Sequence, residues 1–174
     1  SMSFYNEDNL FVPNPTDHPN WFARLTMFED KADIMNTPSE CIEAIKSTIE
    51  NKKICDVGCN NGKTAFSLKK YASEVIGIEK DSSLAIQARQ KGIEVIEGDI
   101  LSMSVPSADY YFIWYGNMDV VKSWVSHITE NHSNAKFIIN HCLELQNESE
   151  YCDSLGGNKV SYTAQGCTWK VTIT

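Results

Sequence analysis

The sequence predicts an α/β fold: a mostly parallel, doubly wound sheet of about seven strands that ends in a C-terminal antiparallel hairpin. Three features carry this. First, KICDVGCNNGKTAFSLKKYASEVIGIE, residues 53–79, reads as an apolar strand, a glycine turn, an amphipathic helix and a second apolar strand, with Asp56 and Glu79 at the strand ends. Second, further apolar runs alternate with helical stripes as far as residue 142, the pattern of strand–helix–strand units. Third, KVSYTA and CTWKVTIT flank Gln165-Gly166 as the arms of a hairpin.

Residues 1–36 form an N-terminal arm and residues 37–174 the domain. FVPNPTDHPN, with prolines at 13, 15 and 19, excludes a regular element there. Beyond it Asn20 caps a short helix with Trp21, Phe22, Leu25 and Phe28 on one face, either a flap over the site or a cover for one end of the sheet. Thr37-Pro38-Ser39-Glu40 reads as a capping box, opening a helix from Pro38 to about Glu50 with Ile42, Ile45 and Ile49 on its buried face. The next helix runs from Lys63 to about Ala72, directly after the glycine turn. Asp81 caps a helix to about Lys91, which Gly92 ends. Strand three is 93–98. A loop over 101–107 leads to an aromatic strand from Asp109 to Tyr115. Val121, Trp124, Val125 and Ile128 then mark a core-facing helical stripe, with Trp124 read as packing. AKFIINHC, 135–142, is the fifth strand.

Open α/β sheets bind ligands at the carboxyl ends of their strands, so the turn after Asp56 is the first place to look for chemistry. A dinucleotide fingerprint counted from Gly58 requires glycine at Asn60 and Lys63, and finds neither. A phosphate-cradling loop needs four residues between its first glycine and Gly-Lys-Thr, which puts that glycine on Val57. The pattern that fits is acid-x-Gly-x-Gly-x-Gly over Asp56-Val57-Gly58-Cys59-Asn60-Asn61-Gly62, with Asn60 in place of the middle glycine. Asparagine is one of the few residues that tolerates positive φ, so the turn survives.

On ICDVGCNNG the sequence resembles the class I S-adenosylmethionine-dependent methyltransferases, whose fold is Rossmann-like. The resemblance spans residues 37–174. It implies S-adenosylmethionine as cofactor, with Asp56, Gly58, Asn60 and Gly62 forming the turn that holds it. Glu79, 21 residues after Gly58, stands where the family bonds the ribose hydroxyls. Lys80 stands along the adenine edge. Asp99 in EVIEGDI stands at the adenine amino group with Ile100 beside the ring, and Trp114 on the wall from strand four. The amides that begin the helix at Lys63 are implied near the methionine carboxylate. Thr37, before the first helix, is either close to the ligand or simply a cap.

The implied chemistry is an in-line attack by an acceptor lone pair on a sulfonium methyl. Because the leaving group is already activated, the protein mainly orients the reactants, and a base is required only for a protonated nucleophile. Tyr115, Asn117 and His141 are the catalytic candidates. A lone histidine is more commonly structural. Enzymes of this family that methylate base amino groups carry an Asp/Asn-Pro-Pro-aromatic tetrad after strand four, where this chain has Tyr115-Gly116-Asn117-Met118. Protein lysine or a small metabolite is therefore the expected acceptor rather than nucleic acid. The alternative is a binding module for S-adenosylmethionine or its product S-adenosylhomocysteine that has lost transfer.

Composition agrees with these expectations. Fifteen basic against 23 acidic residues give a net charge of −8 and a pI near 4.9, which disfavours nonspecific contact with a nucleic-acid backbone. No apolar run approaches the roughly 20 residues of a membrane span, and no signal segment opens the chain, so a soluble cytoplasmic protein is expected. Ser1 ahead of Met2 reads as a remnant of cloning. Cysteines at 41, 55, 59, 142, 152 and 167 contain no C-x-x-C pair, which points to reduced thiols and to no metal site.

Overall fold

The computed structural model describes residues 36–142 and 146–174. The sequence-predicted helix over residues 20–28, and the rest of the arm before Asn36, lie outside them. The first predicted helix is two: α1 (Ser39–Ala44) and α2 (Lys46–Ile49). Ile45 between them leaves helical geometry at φ −111°, and its N–H is shared between the carbonyls of Cys41 and Ile42. Ile42, Ile45 and Ile49 are nonetheless all buried, as expected. The expected capping box is absent, because Pro38 stands at the cap position and no side chain caps α1. Thr37 instead donates its backbone N–H to Thr64 Oγ1 at 2.9 Å, tying this segment to the helix after the glycine turn.

There follow β1 (Lys53–Val57), α3 (Lys63–Leu68), β2 (Glu74–Glu79), α4 (Ser82–Gln90), β3 (Glu94–Glu97) and a 3-10 turn over Ile100–Ser102. Then come β4 (Tyr110–Ile113), α5 (Met118–Asn131), β5 (Phe137–Cys142), α6 (Gln146–Ser154), β6 (Asn158–Ala164) and β7 (Cys167–Ile173). α3 stops four residues short of the expected Ala72. There the chain peels away to bond the segment before β1, with Asn51 N–H donating to Tyr71 O and Ser73 N–H to Lys52 O. As expected, Asp81 caps α4, its Oδ1 accepting from Leu84 N–H at 2.9 Å.

The seven strands form one sheet in the order β3-β2-β1-β4-β5-β7-β6. The first five are parallel; β7 runs antiparallel to β5, and β6 to β7. Gln165 and Gly166 join β6 to β7 with φ of 54° and 74°, the two positive values that a two-residue hairpin turn needs. Strand alternation sends Ile54, Phe112 and Ile138 into one core layer, under α1, α3 and α4. Cys55, Val57, Tyr111, Ile113 and Ile139 enter the other, under α5 and α6. Burial on both faces is what central parallel strands require. The chain builds outward from β1 to β3 and then returns to place β4 on the far side of β1. The order reverses at that point, so a cleft opens at the carboxyl ends of β1 and β4.

Candidate active site

The turn after β1 is fixed from below. Cys59 N–H donates to Ile78 O at 2.9 Å, and Gly62 N–H to Cys59 O at 3.0 Å. Gly58, Asn60 and Gly62 all have positive φ, at 70°, 55° and 88°. A Cβ on Gly58 would stand 2.9 Å from Trp124 Cη2, and one on Gly62 would stand 2.8 Å from the backbone of Ala88. Both glycines are therefore set by close approach as well as by backbone conformation.

Glu79, at the end of β2, clamps the turn. Its Oε1 accepts from Asn60 N–H at 2.8 Å and its Oε2 from Asp81 N–H at 2.9 Å. Asn60 Oδ1 accepts from Asn61 N–H at 2.7 Å, and Asn61 Oδ1 accepts from Asn36 Nδ2 at 2.9 Å. Above the turn lies a cavity of about 300 Å³, at the lower end of the range for small-molecule sites. Gly58 and Asn60 line it below, and Glu79, Lys80, Asp99 and Ile100 line the side of β2 and β3. Trp114 and Tyr115 line it from β4, with Trp124 from α5.

Over residues 22–151, three quarters of its length, the sequence matches the model of a family described as tellurite resistance protein TehB. The chain belongs to the TehB family. No curated protein sequence matches it. A TehB-like S-adenosylmethionine-dependent methyltransferase from Corynebacterium glutamicum is similar in structure, with a TM-score of 0.58 at 18% identity, over 92% of this chain and 100% of that one. Magnesium protoporphyrin IX methyltransferase of Synechocystis, solved with bound S-adenosylmethionine, gives 0.58 at 12% identity, over 76% of each chain. A dimethyladenosine transferase from Plasmodium falciparum gives 0.56 at 16% identity, over 80% of this chain and 63% of that one. The fold of this TehB-family chain is thus that of the class I methyltransferases, and S-adenosylmethionine is the cofactor of that class.

The residues here fit such a cofactor. Two strand-end carboxylates, Glu79 and Asp99, face one cavity across a turn stripped of side chain at Gly58, which suits a ligand with hydroxyl and amino donors that must approach backbone closely. Of the residues that the sequence pointed to, Gly58, Asn60, Glu79, Lys80, Asp99, Ile100, Trp114 and Tyr115 come together at this cavity. Trp114 and Tyr115 reach it because β4 ends at Ile113, paired with Val57, the last residue of β1. With no β1 left to pair on that side, the chain turns into the cleft instead of continuing as strand to Tyr115.

Four candidates lie elsewhere. Asp56 is buried beneath the turn, with no partner for its Oδ2 among the described residues, and does not line the cavity. Burial, and then the Glu79 carboxylate, push its pKa up to about 8. Gly62 stands behind the turn, against α4. Asn117 caps α5, its Oδ1 accepting from Asp119 N–H at 3.0 Å, and lines a second hollow with Lys122 and Tyr151. His141 is 0% exposed, beside Thr172 of β7 with Nε2 3.3 Å from Thr172 Oγ1. It was expected at the cleft and is not there, because β7 covers that edge of β5.

Trp124, read from its stripe as packing alone, does pack, its ring centroid 4.8 Å from that of Tyr115. It is also a wall of the site. The available signal was its place in the first two turns of the helix leaving β4, which runs from the cleft end of the sheet.

Burial, followed by Lys170 and Lys159, holds His141 down to about 4, against the weaker opposite pull of Asp153. A depressed folded-state value means that its contribution to stability is complete above about pH 6.5 and is lost as pH falls through 4. Urea unfolding of the parent and of His141→Gln across pH 7 to 4 is expected to show a steeper acid loss in the parent. Parallel curves would contradict the assignment.

Proposed function

We propose that this chain transfers the methyl group of S-adenosylmethionine in line to a protein lysine or a small-molecule nucleophile, in preference to nucleic acid. The observation that carries this is the convergence of Glu79, Asp99 and the Gly58–Asn60 turn on one cavity at the switch point of a TehB-family fold. When bound, the cofactor supplies a methyl group on a positively charged sulfur. Glu79 keeps lone pairs beyond those used by Asn60 and Asp81, and these accept the ribose hydroxyls. Asp99 accepts from the adenine amino group, Ile100 and the stem of Lys80 bracket the ring, and Trp114 walls the side that faces the acceptor. Asp56 and Gly62 act from behind, shaping the turn. Of the three catalytic candidates Tyr115 is the one that lines the cavity, and it orients the acceptor or takes its proton.

The net charge of −8 and Tyr115-Gly116-Asn117-Met118 after β4 support an acceptor other than nucleic acid. A cytoplasmic setting is supported by Cys41, Cys55, Cys59, Cys152 and Cys167, which are buried, unlinked thiols. Among the described residues no helix is long and apolar enough to cross a membrane. Calorimetry with S-adenosylmethionine, S-adenosylhomocysteine, NAD and ATP tests the cofactor, and binding of the first two alone is expected. Labelled-methyl transfer to cell extract, with protease and nuclease controls, tests the acceptor. Binding of NAD or ATP instead would overturn the proposal, and binding without transfer would leave a binding module.

A further inference from the structure

Asn60 departs from the glycine pattern of its turn, and its side chain is held in a defined way. At φ 55° the residue tolerates a backbone that most side chains avoid. Its Oδ1 is committed to its own chain, accepting from Asn61 N–H at 2.7 Å. That bond fixes which end of the carboxamide is free. Nδ2 meets no acceptor among the described residues, yet it is not among the buried polar atoms left without a partner. It is therefore open to the cavity that Asn60 lines. Around it the cavity presents the carboxylates of Glu79, Asp81 and Asp99, which are acceptors.

From this we infer that Asn60 is a specificity-determining residue of the cofactor site: its Nδ2 donates a hydrogen bond to an oxygen of the bound cofactor, either the ribose ring oxygen or the amino-acid carboxylate. The inference rests on the cofactor reading proposed above. A glycine at this place offers the ligand backbone alone. Here the same place offers a donor whose orientation is set before binding, so little side-chain freedom is lost when the ligand arrives. The rival consequence of the same substitution is obstruction, a side chain that narrows the approach to the turn. The two make opposite predictions for Asn60→Gly.

The test is calorimetric titration of the parent, Asn60→Gly and Asn60→Asp with S-adenosylhomocysteine and with 5′-methylthioadenosine, which lacks the carboxylate, alongside thermal melts. Glycine suits the positive φ, so Asn60→Gly is expected to fold. Its affinity for S-adenosylhomocysteine should fall about three- to tenfold, the range for one hydrogen bond. Asn60→Asp keeps an acceptor for Asn61 N–H, removes the donor and adds a charge beside Glu79, so its loss should be larger. A loss on both probes places the accepting oxygen on the ribose, and a loss on S-adenosylhomocysteine alone places it on the carboxylate. Equal or tighter binding by Asn60→Gly would overturn the inference. So would binding by Asn60→Gly where the parent binds nothing, although the cofactor reading would then stand. Failure of parent and variants alike to bind either probe would overturn both.

Discussion

Glu79→Ala is expected to weaken S-adenosylhomocysteine binding by more than about tenfold and to cost about 1–3 kcal/mol of folding stability. Two separate functions of one carboxylate account for the two losses. Facing the cavity, it is the proposed acceptor for the ribose hydroxyls. Facing the chain, it satisfies Asn60 N–H at 2.8 Å and Asp81 N–H at 2.9 Å, so its removal orphans one donor in the turn and another at the cap of α4. The buried Asn60 donor left unpaired costs about 1–3 kcal/mol, and the Asp81 donor, on an exposed residue, costs little because water takes it. Glu79→Gln retains one acceptor, turns the other into a donor, and is expected to fall between parent and alanine on both measures. Urea unfolding and calorimetry on the three proteins separate the effects. A normal affinity in Glu79→Ala would remove the ribose assignment, whatever its stability.

The strands, the glycine turn and the helix stripes were legible because each is written in consecutive residues. Asp56, Glu79 and Asp99 could be placed at strand ends by local pattern alone. What was not legible depends on partners distant in sequence. β4 pairs with β1 only as far as Ile113 and Val57, where β1 ends, and Trp114 and Tyr115 beyond that pair enter the cleft. His141 has the residue type and strand-end position of a proton acceptor, but β7 pairs along β5 and puts Lys170 opposite it, enclosing the ring. Trp124 shows the same limit from the other direction. A helical stripe reports which residues face inward, and at the cleft end of a sheet an inward-facing side chain faces the ligand as well as the core. The break at Ile45, where one N–H is shared between two carbonyls, likewise has no counterpart in the local helix signals.

Asp56 leads to the second large effect. Its place on β1 shares a face with Ile54, so the side chain enters the layer beneath α1, α3 and α4 instead of the cavity. Burial raises its pKa to about 8, and the nearby Glu79 carboxylate adds to the shift. A value raised above that of the unfolded chain means that the folded state holds a proton the unfolded state has released. The contribution is complete below about pH 4 and declines as pH rises toward 8. Asp56→Asn removes the titration while keeping the shape, and places an amide where Oδ2 has no partner among the described residues. The variant is expected to match the parent near pH 4 and to exceed it by on the order of 2–4 kcal/mol at pH 8. His141 acts in the opposite sense between about pH 4 and 6.5, where the two contributions offset each other, so the parent's net loss from this pair should appear above about pH 6.5. Urea unfolding of both proteins at half-unit steps from pH 4 to 9 reads this directly. A constant offset between parent and Asp56→Asn across that range would show that Asp56 is ionised in the fold and would contradict the assignment.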